Sequence, residues 1–140
     1  MKQFGKIIAG VHYIKRPTVS ALILSKDRRI VAVEFMGKYF LPGGGIEYNE
    51  TPHEALHREL KEELGWKIKI VKEICRAEEY LYATLDKKHF NKQGIFYMAD
   101  KTERIAPSEI CEHQPLWLTF EEFKSKAAHE SHVWAYSQIL

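Results

Sequence analysis

The stretch Gly43 to Trp66, GGGIEYNETPHEALHRELKEELGW, decides how the rest of this 140-residue chain is read. It opens as a glycine loop, continues as a capped helix and stops at a glycine. Thr51 is placed as the N-cap, Pro52 suits the first helical position, and Glu54 completes a capping box. Gly65 stands where a left-handed C-terminal cap is expected. Between them Leu56, Leu60 and Leu64 recur every four residues as an apolar stripe.

The same helix gathers Glu59, Glu62 and Glu63 at i, i+3 and i+4, on one face. Like charges at that spacing repel, and the C-terminal half of a helix already disfavours carboxylates. Folding alone does not ask for this arrangement. A hard divalent cation removes the objection, because Mg²⁺ and Mn²⁺ prefer clustered carboxylate oxygens. The plainer reading is a solvated acidic face paired to Lys61 and Lys67.

The spacing favours the cation. From Gly44 the stretch fits G-x5-E-x7-R-E-U-x-E-E-x-G-U, where U is bulky and apolar. Gly44, Glu50, Arg58, Glu59, Leu60, Glu62, Glu63 and Gly65 occupy the defining positions. Chance alone gives the strictly fixed set about once in 10⁸ starting positions at this composition. The stretch resembles the Nudix box, the signature of the Nudix hydrolases. Trp66 replaces the usual Ile, Leu or Val at the last position and remains bulky and apolar. Tyr39-Phe40-Leu41-Pro42-Gly43-Gly44 also resembles that family's approach to the box.

The resemblance implies hydrolysis of a phosphoanhydride (pyrophosphate) bond in a nucleoside diphosphate linked to another group. It implies a small-molecule nucleotide substrate and a divalent cofactor, Mg²⁺ or Mn²⁺. By position, Glu59, Glu62 and Glu63 match the metal-binding glutamates, and the carbonyl of Gly43 matches a backbone ligand. Glu59 is also a candidate base. Arg58 and Glu50 resemble the ion pair that orients the catalytic helix, where loss acts through misplaced carboxylates. Glu112, ahead of a Trp-containing strand, stands where a further acidic ligand is expected, with Glu109 as the alternative. Tyr80, Tyr82, Phe90 and Tyr97 are candidates for base stacking or for ordinary packing. Pro107 lies too far from the box for an ADP-ribose signature, and Tyr82 matches the dinucleoside polyphosphate position loosely. A nucleoside triphosphate or nucleotide-sugar-like substrate is therefore preferred.

A second motif lies inside the first. His53-Glu54-Ala55-Leu56-His57 spells HExxH, the zinc-protease pattern. Its three fixed positions arise by chance in roughly a few per cent of such chains. At 100° per residue, both histidines fall near the leucine stripe, around the helix from the glutamates. Three functions thus remain: a metal-dependent hydrolase, a nucleotide-sensing module without chemistry, and a zinc protease.

At 45% hydrophobic and 29% charged residues, the composition is that of a globular protein, long enough for one core and one domain over residues 1–140. A net charge of +2 gives no argument for nucleic acid or a membrane surface. Cys75 and Cys111 show neither metal nor redox spacing and read as reduced thiols, so a cytoplasmic protein is expected. No run is long enough to cross a membrane, and no signal peptide is evident. A monomer or homodimer is expected.

Along the chain, Lys6–Tyr13 reads as a first strand ended by Lys15-Arg16-Pro17. Thr18–Leu24 and Arg29–Phe35 read as strands apolar on both faces, which predicts a sheet covered on each side. After the box come strands over Lys67–Glu73, Ile74–Leu85 and Gly94–Ala99, with a polar hairpin at Asp86–Gln93 and a loop at Lys101–Cys111. A short strand at Pro115–Leu118, a helix capped by Thr119 and a last helix over His129–Leu140 complete the chain. This order predicts an α/β class and an α/β/α sandwich around a mixed β-sheet, the architecture the Nudix resemblance also implies.

Overall fold

The helix inside the quoted stretch forms as its capping residues dictate. In the computed structural model, which describes residues 1–106 and 111–140, α1 spans Pro52–Leu64. The Thr51 side chain accepts from the Glu54 N–H, and the Glu54 carboxylate accepts from the Thr51 N–H, so both halves of the capping box are made. Gly65 ends the helix at φ 67°, its N–H donating to the last carbonyls. Leu56, Leu60 and Leu64 are fully buried, each contributing roughly 1.5–3 kcal/mol of apolar transfer.

Ahead of α1 come β1 (Lys2–Phe4), β2 (Ile14–Leu22), β3 (Ile30–Phe35), β4 (Lys38–Phe40) and β5 (Gly43–Gly45). Behind it come β6 (Trp66–Ala83), β7 (Lys88–Arg104), β8 (Leu116–Leu118), α2 (Phe120–Ser125) and α3 (Glu130–Ser137). The main sheet runs β1-β6-β7-β2-β5 and mixes parallel pairs (β1 with β6, β2 with β7) with antiparallel ones. A smaller sheet runs β4-β3-β8.

Alternation along β2 and β3 sends side chains to both faces, and both faces are covered. Val19, Ala21, Ile23, Val31 and Val33 pack with Leu56, Leu60 and Leu64 of α1. Leu22, Ile30, Ala32 and Phe96 pack instead with Phe123 of α2 and Ala135 and Tyr136 of α3. This is the expected α/β/α sandwich on a mixed sheet.

Several boundaries differ from the sequence reading. The first strand is Lys2–Phe4, and Lys6–Tyr13 lies outside any strand. Lys15-Arg16-Pro17 sits inside β2 instead of ending a strand. Pro17 is tolerated because its carbonyl side, where its missing N–H also points, faces β5, whose ladder begins only at Thr18; that carbonyl accepts from Ile46 N–H at 3.0 Å. The two strands expected over Lys67–Leu85 are one, β6, with register shifts at Lys67/Ile68, Ile70/Lys72 and Glu73/Cys75. The glycine loop begins as β5. β7 reaches further at both ends, through the expected hairpin and loop. The last helix stops at Ser137, leaving Leu140 exposed.

Candidate active site

β5 and α1 form one corner of a cleft. Gly43 N–H donates to Glu63 Oε1 at 2.7 Å, tying the last turn of α1 to the glycine strand. Next along the chain, a Cβ on Gly44 would lie 2.5 Å from the Glu59 carboxylate carbon, so only glycine leaves that carboxylate its place. The backbone N–H groups of Glu112 and His113 donate to the carbonyls of Glu62 and Glu63, at 3.3 and 3.0 Å. Those carbonyls belong to the helix end that has no intrahelical donors of its own. The segment at Glu112 is thereby hung from the end of α1.

Arg58 organises the corner. Its Nε and Nη2 donate to the two oxygens of Glu50 at 2.7 and 2.9 Å, a bidentate pair. Nη2 also reaches the Gly45 carbonyl at 3.0 Å, and Nη1 donates to Glu59 at 2.9 Å and Glu62 at 3.3 Å. The expected pair with Glu50 is present, and Arg58 also touches two of the three box glutamates directly. The Arg58 guanidinium and the Glu47 N–H pull Glu50 down to about 2, and Arg58 is raised in turn, first by Glu50. Lys67 pairs with Glu103 at 3.9 Å, so it does not neutralise the acidic face.

The electrostatics of the corner bear on a cation. Burial first, joined by Glu59, Glu112 and Glu62, pushes Glu63 up to about 8 against the hydrogen bond from Gly43. Glu59 is raised as well, first by burial, with Glu62 and Glu112 adding to it. Glu62 and Glu112 thus oppose the ionisation of Glu59 and Glu63, a conflict that hard oxygen-seeking cations resolve. The donor set fits such an ion. As the side chains stand, turned to Arg58 and Gly43, no group of three His, Cys, Asp or Glu among the described residues is placed to hold one.

The cleft widens into a cavity of about 620 Å³, within the range of small-molecule sites. Gly43, Gly44, Glu63, Glu112 and His113 line one end. Val33, Phe35, Phe40 and Leu41 supply apolar walls, and Thr18, Ser20, Lys92, His129 and His132 line the rest. None of the aromatics proposed for stacking is in this lining. Tyr97 is buried in the α1-side core, Phe90 lies buried beneath Arg16, Tyr80 meets Tyr13 edge-on, and Tyr82 is half exposed beside His89. Lys92, His129 and His132 escaped the sequence reading because they carry no motif, and the strand holding Lys92 and the helix holding the histidines meet only in the fold. Burial holds His132 well below its ordinary 6.5 and draws the Lys92 ammonium down.

The HExxH residues lie elsewhere. His53 packs edge-on against Tyr97 at 5.0 Å, and His57 is exposed. Glu109 lies outside the described residues.

A sequence profile of the NUDIX domain matches residues 14–138. The chain belongs to the Nudix family. A relative described as an RNA pyrophosphohydrolase, from Halorhodospira halophila, is 33% identical over 81 residues, which are 56% of this chain and 45% of that protein. The chain thus spans less than half the length of that curated relative. Among solved structures, a Nudix hydrolase from Nitrosomonas europaea superposes at TM-score 0.72 with 16% identity, over 89% of this chain and 88% of the other. A MutT Nudix hydrolase from Burkholderia pseudomallei superposes at 0.71 with 20% identity, over 90% and 98%. At those identities the superpositions establish the Nudix fold. Nudix hydrolases are generally divalent-metal dependent. No helix among the described residues is long and apolar enough to cross a membrane.

Proposed function

We propose that residues 1–140 act as a single Nudix domain that hydrolyses a phosphoanhydride bond in a small nucleotide, with Mg²⁺ or Mn²⁺ as cofactor and a nucleoside triphosphate as the first candidate substrate. The observation that carries this reading is the convergence of Glu59, Glu62 and Glu112 on the buried Glu63, at the mouth of a nucleotide-sized cavity. Glu59, Glu62, Glu63 and Glu112, with the Gly43 carbonyl, are the residues to hold the ion. When bound, it supplies charge neutralisation and a more acidic water.

The chain's own groups divide the remaining work. Glu59, raised by burial toward the range of a working base, takes the proton of the attacking water. Arg58, locked to Glu50 and to the Gly45 carbonyl, fixes the rotation of α1 relative to β5. It acts on rate through the placement of Glu59 and Glu62. Phe35 and Phe40 keep the walls of the cavity apolar, which suits a planar base.

The test is ion-exchange chromatography of products after incubation with Mg²⁺. The panel holds nucleoside triphosphates, nucleotide sugars, ADP-ribose and dinucleoside polyphosphates, with Glu62→Gln as control. Cleavage by the native protein and not the variant is the expected result. Nucleotide binding without turnover in Mg²⁺ and in Mn²⁺ would instead establish a sensing module. The description of the relative from Halorhodospira halophila favours a second reading, in which the triphosphate is carried on an RNA 5′ end. A triphosphorylated oligoribonucleotide in the same panel decides between the two.

A further inference from the structure

Away from the carboxylates, the cavity ends on polar residues for which hydrolysis has no use. Glu79 of β6 and Lys92 of β7 stand directly opposite each other in the ladder. The buried Glu79 carboxylate reaches across to α3, accepting from Ser131 N–H at 2.9 Å and contacting His129 Nδ1 at 3.2 Å. Burial pushes Glu79 up, but the bonds from His129 and Ser131 outweigh it and keep the group ionised. A carboxylate only accepts, so His129 presents an N–H at Nδ1, and an imidazole with its single proton there has an acceptor at Nε2. His132 is fixed the other way. Leu41 N–H donates to its Nδ1 at 3.1 Å, so its proton sits on Nε2, which is a donor.

The two rings lie 4.9 Å apart, beside Phe40 at 5.4 and 6.4 Å. Both line the cavity, as does Lys92, which can only donate. Neither Nε2, nor the Lys92 ammonium, has a hydrogen-bonding partner among the described residues. An acceptor flanked by donors, wedged beside an aromatic wall, is a template for a –CO–NH– edge.

We propose that this end of the cavity reads the lactam edge of an oxo nucleobase, His129 accepting the ring N–H and His132 donating to the adjacent carbonyl. Guanine, uracil, thymine and hypoxanthine present that edge. Adenine and cytosine present its inverse, an amino group beside an unprotonated nitrogen, and so set donor against donor and acceptor against acceptor. The inference rests on the nucleotide reading above, with the diphosphate at the carboxylates. Glu79 is a positioning residue: it fixes the His129 tautomer without touching the base.

The test compares ITP with ATP and UTP with CTP, pairs that differ only at this edge, at about pH 8, where free imidazoles are neutral. Two readouts are taken: kcat/KM with Mg²⁺, and equilibrium binding of the non-hydrolysable α,β-methylene analogues. The expected preference for ITP and UTP is about 10–100-fold in both. Glu79→Gln keeps an acceptor for Ser131 and presents an N–H to His129, which moves the ring proton to Nε2. The ITP-to-ATP ratio should then fall to about threefold or less, or invert. A merely structural loss would weaken both nucleotides together and leave the ratio standing. His132→Asn, which keeps an acceptor for Leu41, should also level the ratio. Equal binding of ITP and ATP by the native protein overturns the inference. Selective binding without turnover supports it and overturns the hydrolase reading alone.

Discussion

The Glu63→Gln variant tests the electrostatic account of the cleft. Glu63 is buried, and its pKa rises from an ordinary 4.5 to about 8. Between those values the unfolded chain has lost the proton while the folded chain still holds it. Stability therefore falls as pH rises through that window, and is fully present only below about pH 4.5. At about 1.4 kcal/mol per pH unit, the interval sets a ceiling of roughly 5 kcal/mol. Burial and the neighbouring Glu59, Glu62 and Glu112 together make that rise, and a coupled group shows less than the full interval, so about 2–3 kcal/mol is expected. The glutamine keeps an acceptor for Gly43 N–H and cannot ionise. In EDTA, urea denaturation at pH 5 and pH 8 should show the native protein losing that amount while the variant stays comparatively flat. Mg²⁺ should restore the native protein at pH 8 and leave the variant nearly unmoved. Parallel pH dependence in the two proteins would refute the claim that an uncompensated carboxylate sits in this cleft.

Arg58→Lys keeps a charge and loses the bidentate fork, so kcat should fall about 10–100-fold with KM little changed, in steady-state kinetics of the native substrate. Gly44→Ala drives a methyl into the Glu59 carboxylate; activity should drop at least about tenfold while urea stability changes by roughly 1 kcal/mol or less. Thr51→Ala removes one half of the capping box and should cost about 1 kcal/mol in urea denaturation, Thr51→Ser far less.

The candidate corner at α1 was legible because it is local. Thr51, Pro52, Glu54 and Gly65 encode α1 through caps within a turn of its ends, and Arg58, Glu59, Glu62 and Glu63 share its surface. Glu112 was legible only through the family resemblance. What failed to show was whatever depends on partners distant in sequence. Pro17 signals an end by itself, and only the place where β5 begins makes it a strand residue. In β6, the register shift at Ile70/Lys72 turns the side chains over, so Ile68 and Ile70 join the α1-side core while Ile74, an even number of residues on, joins the opposite one, and a strict period of two reads as two strands. The Glu79–His129 contact bridges a strand and a helix 50 residues apart in the chain, which no spacing rule reaches.

The attachment of the Glu112 segment to α1 has a consequence for how such a site changes over time. Both links, to the carbonyls of Glu62 and Glu63, are made by main-chain N–H groups. Any residue except proline provides them. If Glu112 holds the ion as proposed, substitution at 112 can therefore exchange the chemical group offered to it while the anchor holds. On that reading the scaffold separates where a ligand stands from what the ligand is, and so leaves a lineage free to retune metal preference one codon at a time.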